Sequence, residues 1–146
     1  RHVRPEEPEL IARSLRTGAV GLWAAPEFLR RHGRPQSLDD LEGLPFVGMS
    51  DPAGMIGYLS SWGVPTKVED IRMTSDSMVA AWEMVRRGLG LGVMSDEIAE
   101  KTGGVERVLP DFSPMPVEVW LTTHRELRIS KRIRVVFDFL AEALVR

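Results

Sequence analysis

The sequence predicts an α/β protein, and two features of the 146-residue chain carry that prediction. Short apolar runs typical of buried strands alternate with stretches that have helical periodicity and capping residues. In addition, 43% of the residues are hydrophobic and 27% are charged, which is ordinary for a globular protein. A chain of this length forms one domain or two small lobes with a sizeable core.

The first elements are strands followed by a short helix. Residues 1–10 are charged and contain two prolines, which predicts a loop. Residues 10–15 are a candidate short strand. The continuous apolar run Ala19–Ala25 predicts a buried strand. A short helix is expected to begin at Pro26 and to end at Gly33.

The segment that follows has weaker patterns. A short helix with Ser37 as its N-cap is expected first, and residues 45–49 predict a strand. Residues 50–65 are rich in Gly, Ser and Pro, so we expect a loop with at most one helical turn. Residues 67–73 give a plausible strand with a poor alternation pattern.

The clearest interior helix is predicted over Ser75–Arg87. Serine and aspartate stand at its start, two arginines stand in its last turn, and Gly88 follows as the residue after the C-cap. Met78, Trp82 and Val85 are at helical spacing and are expected in the core.

Strands and helices continue to alternate towards the end of the chain. We expect a strand over 89–94, a short helix over 95–104, a strand near 105–108 with a proline-rich loop after it, and a strand over Val117–Thr123. The last helix carries an apolar stripe at helical spacing, which indicates packing on one face. The stripe consists of Ile133, Val136, Phe137, Leu140 and Leu144.

Three alternating glycines, Gly88, Gly90 and Gly92, raise the question of a phosphate-binding loop. In a dinucleotide-binding turn a strand leads into the glycines and a helix leaves them. Here a helix ends at the first glycine and a strand begins after it, which argues against a nucleotide site. The favoured interpretation is a helix cap at Gly88 and close packing of a strand at Gly90 and Gly92.

A better candidate for binding an anion is the segment Thr74–Ser77. A strand delivers the chain there and a helix begins there, so hydroxyls, free amides and the positive end of the helix dipole converge. A small carboxylate or similar polar ligand would fit this chemistry. Asp76 is unfavourable for an anion, and the alternative is that Ser75 or Ser77 serves only as an N-cap.

Composition argues against several classes of function. The formal net charge is −2, so the chain has no excess of positive charge that would bind nucleic acid or an acidic membrane. There is no cysteine, so disulfides and thiolate metal sites are excluded. No apolar run approaches the length of a membrane span, and no signal peptide is visible. The residues therefore suggest a cytoplasmic protein without a direct DNA contact of its own.

Catalytic and metal-binding patterns are weak. The three histidines, His2, His32 and His124, are widely separated in the chain, and this spacing argues against a metal site. No G-x-S-x-G nucleophile motif is present. Asp39 and Asp40 lie on one short helix and are expected to form a solvated face rather than a catalytic pair. No cofactor site is predicted.

The order of several segments resembles the effector-binding domain of LysR-type transcriptional regulators. The matching pieces are Ser75–Asp76 at a strand end, "GLGLGVM" at Gly88–Met94, "VERVLPD" at Val105–Asp111 and "FDFLAEAL" at Phe137–Leu144. Upstream, residues 22–48 are similar to the family's strand, helix and "PEDL" turn. Ser95 departs from the pattern, because the family often has proline there.

This resemblance implies a two-lobe fold similar to periplasmic solute-binding proteins of type 2. It assigns residues 1–20 to part of the first lobe and residues 21–118 to a nearly complete second lobe. Residues 119–146 return to the first lobe with the C-terminal helix. It also implies that the family's DNA-binding domain and the start of its effector domain are absent from this sequence.

The resemblance further implies which residues face a ligand in the cleft between the lobes. Thr74, Ser75 and Ser77 match the family's ligand-facing helix start, and cleft lining continues at the following strand end. Core packing is the competing interpretation for Met94, hinge packing on the crossover strand is the one for Trp23, and a solvated loop is the one for Arg4. The complete set of expected ligand-binding residues is Thr74, Ser75, Ser77, Met94, Arg4, His2 and Trp23.

The expected function is therefore effector sensing without catalysis. A small metabolite shifts the conformation of a homo-oligomeric regulator that contacts DNA only through its N-terminal domain. The alternative is a solute-binding protein or transport component of the same fold. An enzyme of that fold ranks last, because the sequence offers no reactive residue for the cleft.

Overall fold

A computed structural model describes residues 4–112 and 115–145 and has an α/β fold. His2, one of the predicted ligand residues, lies outside the described residues. The strands are β1 (Leu10–Ala24), β2 (Phe46–Met49), β3 (Ile71–Ser75), β4 (Gly92–Ser95), β5 (Glu106–Val108) and β6 (Met115–His124). The helices are α1 (Pro26–His32), α2 (Pro52–Ser61), α3 (Met78–Arg86), α4 (Asp96–Thr102) and α5 (Lys131–Ala143).

The chain divides into two compact units. Unit 1 comprises residues 1–19 and 116–146, and unit 2 comprises residues 20–115. The sequence had suggested boundaries after residues 20 and 118. Within the part of the chain that the structure describes, no helix is long and apolar enough to cross a membrane.

Unit 2 contains strands of two sheets, one built around the second half of β1 and one formed by β2 and β3. Strand β4 pairs antiparallel with β1, with Leu22 opposite Val93, and β5 pairs antiparallel with β1, with Leu22 opposite Val108. Strands β2 and β3 pair in parallel, and a parallel bridge between Phe46 and Leu91 connects β2 to the chain entering β4. Residues 19–24 of the predicted run are thus part of one 15-residue strand, which also includes the separate short strand expected at residues 10–15, and Ala25 is the N-cap of α1.

Helix α2 corrects the expectation of a loop over residues 50–65. Asp51 accepts a hydrogen bond from the Gly54 amide at 3.1 Å, and Pro52 stands at the first helical position, where its missing N–H costs nothing. Leu59 is fully buried. The cap and this buried contact outweigh the low helix propensity of the two glycines in the helix.

Helix α3 begins later than predicted, and its packing differs at one position. Ser77 is its N-cap, so residues 75 and 76 belong to the strand end and the turn before it. Trp82 and Val85 are buried, as expected. Met78 was expected in the core, but it is the first residue of α3 and is 46% exposed.

The three glycines after α3 have structural roles. Gly88 has φ of +75°, the left-handed conformation of a residue that ends a helix. A Cβ at Gly90 would lie 2.9 Å from the Pro45 carbonyl oxygen, and a Cβ at Gly92 would collide with the Val85 side chain. The interpretation of close packing is therefore confirmed at Gly90 and Gly92.

Unit 1 contains the first half of β1, strand β6 and helix α5. Strand β6 pairs with β1, and the Arg125 amide donates to the Glu9 carbonyl at 2.8 Å. In α5, Phe137 is buried, but the expected apolar stripe is incomplete, since Val136 and Leu144 are exposed. Phe139 lies outside the predicted stripe and is 67% exposed.

Candidate functional site

The carboxyl ends of β2 and β3 meet at one edge of unit 2. The two strands are parallel with Met49 opposite Ser75, so Ser50 and Asp76 both follow a strand at that edge. The Ser50 hydroxyl donates a hydrogen bond to the Asp76 carboxylate. In α/β sheets, this is the edge at which ligands bind.

The start of α3 lies at the same edge and orders its polar groups. The Ser75 hydroxyl accepts a hydrogen bond from the Ser77 amide at 3.1 Å. The Ser77 hydroxyl in turn accepts from the Ala80 amide at 3.3 Å. The amides of Met78 and Val79 are in the first turn, where the helix offers no carbonyl to accept from them. The result is a cluster of hydroxyls and amides at the positive end of a helix.

Solvent reaches this edge. Thr74, Asp76 and Ser77 are exposed and Ser75 is half-buried. The hydroxyls, the carboxylate and the amides at this edge can donate hydrogen bonds to a polar ligand or accept them from it. None of the described contacts activates one of these hydroxyls as a nucleophile. Among residues 4–112 and 115–145, no group of three or more acidic or histidine side chains is arranged to hold a metal ion.

Two of the predicted ligand residues, Ser75 and Ser77, are joined by a hydrogen bond, and Thr74 precedes them as the last but one residue of β3. Ser50 belongs with them and was not predicted. The signal that could have found it is its place directly after a short apolar strand, since the carboxyl ends of parallel strands share an edge. That inference required knowing that β2 and β3 pair in parallel.

Trp23 and Met94 lie side by side in the hydrophobic core of unit 2. Trp23 donates from its indole Nε1 to the Met94 carbonyl at 3.2 Å. Both side chains are 7% exposed and pack in one cluster with Trp82 and Val85. This placement favours the packing interpretation that the sequence left open for both residues.

An ion pair next to this core was not anticipated from the sequence. Arg107 on β5 donates to the Asp96 carboxylate at 2.7 Å, and its guanidinium lies 5.8 Å from the centre of the Trp23 ring. A Cβ at Gly21 would lie 3.2 Å from both partners. Glycine in β1 therefore leaves the space in which the pair connects β5 with the start of α4.

Arg4 belongs to unit 1. Its side chain is exposed, and its guanidinium carbon lies 5.7 Å from the centre of the Trp120 ring, within the range of a cation–π contact. A role for Arg4 in binding a ligand stays a prediction.

The Ser77 cap gives a direct test of how α3 is held. We expect Ser77→Ala to lower the free energy of unfolding by about 1 kcal/mol, because the Ala80 amide loses its acceptor. Ser60→Ala, an exposed position within α2, is the matched control and should change stability by less than about 0.5 kcal/mol. Urea denaturation followed by circular dichroism measures both. Equal effects of the two variants would show that the Ser77 cap does not contribute to the free energy of unfolding.

A parallel strand pair with a helix that begins at its carboxyl edge is typical of α/β ligand-binding domains. Within that class, the family model described as the LysR substrate binding domain matches residues 1–145. The chain belongs to this family, and it has the family's fold, which is like that of type 2 periplasmic binding proteins.

Relatives and solved structures agree with this assignment. The chain is 30% identical over 146 residues to the HTH-type transcriptional regulator DmlR of Escherichia coli, covering 92% of this chain and 46% of that protein. It is 26% identical to the HTH-type transcriptional regulator CrgA of Neisseria meningitidis over 152 residues, 95% of this chain and 48% of that one. The chain thus spans about half the length of these relatives.

The structure of the CrgA regulatory domain, from a LysR-type transcriptional regulator of Neisseria meningitidis, superimposes with a TM-score of 0.77 at 25% identity. The match covers 99% of this chain and 73% of that domain. The full-length structure of AphB from Vibrio cholerae matches with a TM-score of 0.65 at 20% identity, over 95% of this chain and 49% of that one, and supports the fold alone.

Proposed function

We propose that this chain is the ligand-sensing part of a LysR-type transcriptional regulator and that its effector binds at the edge formed by β2, β3 and the start of α3. The observation that carries the proposal is the hydrogen-bonded cluster of Ser50, Asp76, Ser75 and Ser77 at the exposed start of α3, with Thr74 directly before it on β3. These groups recognise a ligand by hydrogen bonds and perform no chemistry on it.

The effector class we propose is a small carboxylate or a similar polar metabolite. Hydroxyls and first-turn amides can donate to a carboxylate, and the helix dipole favours its charge. Asp76 opposes an anion, and its hydrogen bond from Ser50 fixes it at the edge. Asp76 therefore selects for ligands whose negative charge stays away from it or that carry a donor beside the carboxylate.

The mechanism we propose is a shift of population. An effector that binds one conformation of the regulator more tightly raises the share of that conformation, which changes DNA binding. The DNA contacts come from a helix-turn-helix domain outside this sequence, in keeping with relatives named as HTH-type regulators. We further propose that the whole protein is a cytoplasmic homo-oligomer that uses no cofactor.

Substitutions at the strand edge test the effector site. A thermal-shift screen of small carboxylates on the 146-residue chain first identifies a binder, and calorimetry then measures its Kd. We expect Thr74→Val to weaken binding about two- to tenfold, the range for one lost hydrogen bond. Asp76→Asn should strengthen carboxylate binding, because it removes a like charge.

Thr17→Val is the matched control, since Thr17 is an exposed strand residue in unit 1, and it should leave the Kd unchanged. If no carboxylate raises the melting temperature, the proposed effector class is wrong. Weaker binding by Asp76→Asn would instead identify an effector that donates a hydrogen bond to Asp76. For regulation, a gel-shift assay on the full-length regulator should show that the same compound changes its affinity for DNA.

A further inference from the structure

An open groove on unit 2, away from the helix start of α3, has a volume of about 770 Å³. That volume is within the range of small-molecule sites. Leu29 from α1 and Val108 from β5 form a buried apolar floor. The walls are two chain segments, residues 34–38 after α1 and residues 109–112 after β5.

The first wall is held in place by polar contacts. Arg34 donates to Glu106 at 2.5 and 3.3 Å, which ties the segment to the edge of β5. Asp40 accepts from the amides of Gln36 and Ser37 at 2.8 and 3.0 Å, and these bonds lower the pKa of Asp40. Asp40, rather than the expected cap Ser37, thus organises this segment, and the helix expected there is a single 3₁₀ turn at Asp39–Leu41.

The second wall contains a strained residue. Leu109 has φ of +54°, the one positive value among the described residues other than glycine. A leucine in this conformation costs free energy and tends to persist where a binding surface requires it. Here it turns the chain out of β5, so that Pro110, Asp111 and Phe112 line the groove.

Two ion pairs involve the arginines that line the groove. Arg34 pairs with Glu106, and Arg107 pairs with Asp96. Among residues 4–112 and 115–145, no basic side chain pairs with the exposed Asp111. Both arginines of the groove are thus held in ion pairs, and Asp111 is the lining carboxylate that is left for a cationic ligand.

We propose that this groove is a second ligand site that takes a small amphipathic amine, with the apolar body on Leu29 and Val108 and the ammonium group at Asp111. The site is separate from the proposed effector edge, so its existence does not depend on the identity of the effector. It gives the regulator a second small-molecule site within unit 2.

A matched trio of compounds tests the proposal: 2-phenylethylamine, 2-phenylethanol and 3-phenylpropanoate. They share the apolar body and differ in the charge of the head group. Titration of each into the 15N-labelled 146-residue chain, followed by two-dimensional NMR, should give saturable shifts for the amine at residues 36–38 and 109–112. The alcohol should bind more weakly, and the acid should bind most weakly.

Asp111→Asn should lower affinity for the amine about threefold or more, as expected for losing an accessible charge pair. Asp39→Asn, which removes an exposed carboxylate beside the groove but not lining it, should leave affinity unchanged. The proposal is overturned if none of the compounds binds saturably at millimolar concentration or if all three bind equally. It is also overturned if the shifts centre on residues 74–77 or if the two variants have equal effects.

Discussion

Gly92→Ala is expected to lower the free energy of unfolding by about 1–3 kcal/mol, the cost of an extra methyl group in a packed core. A Cβ at Gly92 would overlap the Val85 side chain on α3. Val85 is only 2% exposed, so its side chain has no room to move away. Gly92 does not have a positive φ, so backbone strain adds nothing and the cost is steric. Urea denaturation monitored by tryptophan fluorescence measures it.

A double-mutant cycle shows whether this one contact carries the effect. Val85→Ala alone should destabilise the chain by about 2 kcal/mol, because it leaves a cavity. In Gly92→Ala with Val85→Ala, the new methyl group enters that cavity, so the total loss should fall short of the sum by about 1–2 kcal/mol. Additive losses would mean that the collision is relieved elsewhere.

Gly57→Ala is the control for the glycine substitution itself. Gly57 lies in α2, and a Cβ there would have no atom within 4 Å. Alanine should therefore stabilise the chain by about 0.5–1 kcal/mol, through helix propensity and the unfolded state. If Gly92→Ala lowers the free energy of unfolding while Gly57→Ala raises it, the loss at Gly92 comes from close packing and not from the change in chain entropy that both substitutions share.

The glycines illustrate what the sequence could predict. A helix end at Gly88 depends on residues within one turn, and so does the Ser77 cap, so both can be inferred from local chemistry. The choice between a phosphate loop and close packing also followed from the order of elements. Strand pairing partners could not be inferred in this way, because single-sequence patterns carry no record of which strand lies beside which.

The candidate site shows the same limit. Ser75 and Ser77 could be predicted because they are two residues apart at a helix start. Ser50 is 26 residues from Asp76 in the chain, and their hydrogen bond depends on the parallel pairing of β2 and β3. Helix α2 was missed for a different reason, since Gly54 and Gly57 reduce helix propensity and the burial that compensates for them is tertiary.

Substitutions of Trp23 give the clearest test between a packing role and a ligand-binding role. Trp23→Ala is expected to destabilise the chain by about 3–5 kcal/mol, since it empties an indole-sized space in the core cluster. Trp23→Phe keeps most of the volume but removes the Nε1 donor from the Met94 carbonyl, which should cost about 1–3 kcal/mol. It also weakens the contact with Arg107, whose guanidinium prefers an indole ring.

The affinity for an identified effector decides between the two roles. If Trp23 serves the core, Trp23→Phe lowers the free energy of unfolding while the Kd, measured well below the melting temperature, stays unchanged. Trp62→Phe is the matched control, because Trp62 is half-buried in the same unit and its indole bonds to none of the described residues. It should cost less than about 1 kcal/mol. A Trp23→Phe variant of normal stability that binds the effector poorly would place the indole at the ligand and contradict the packing role.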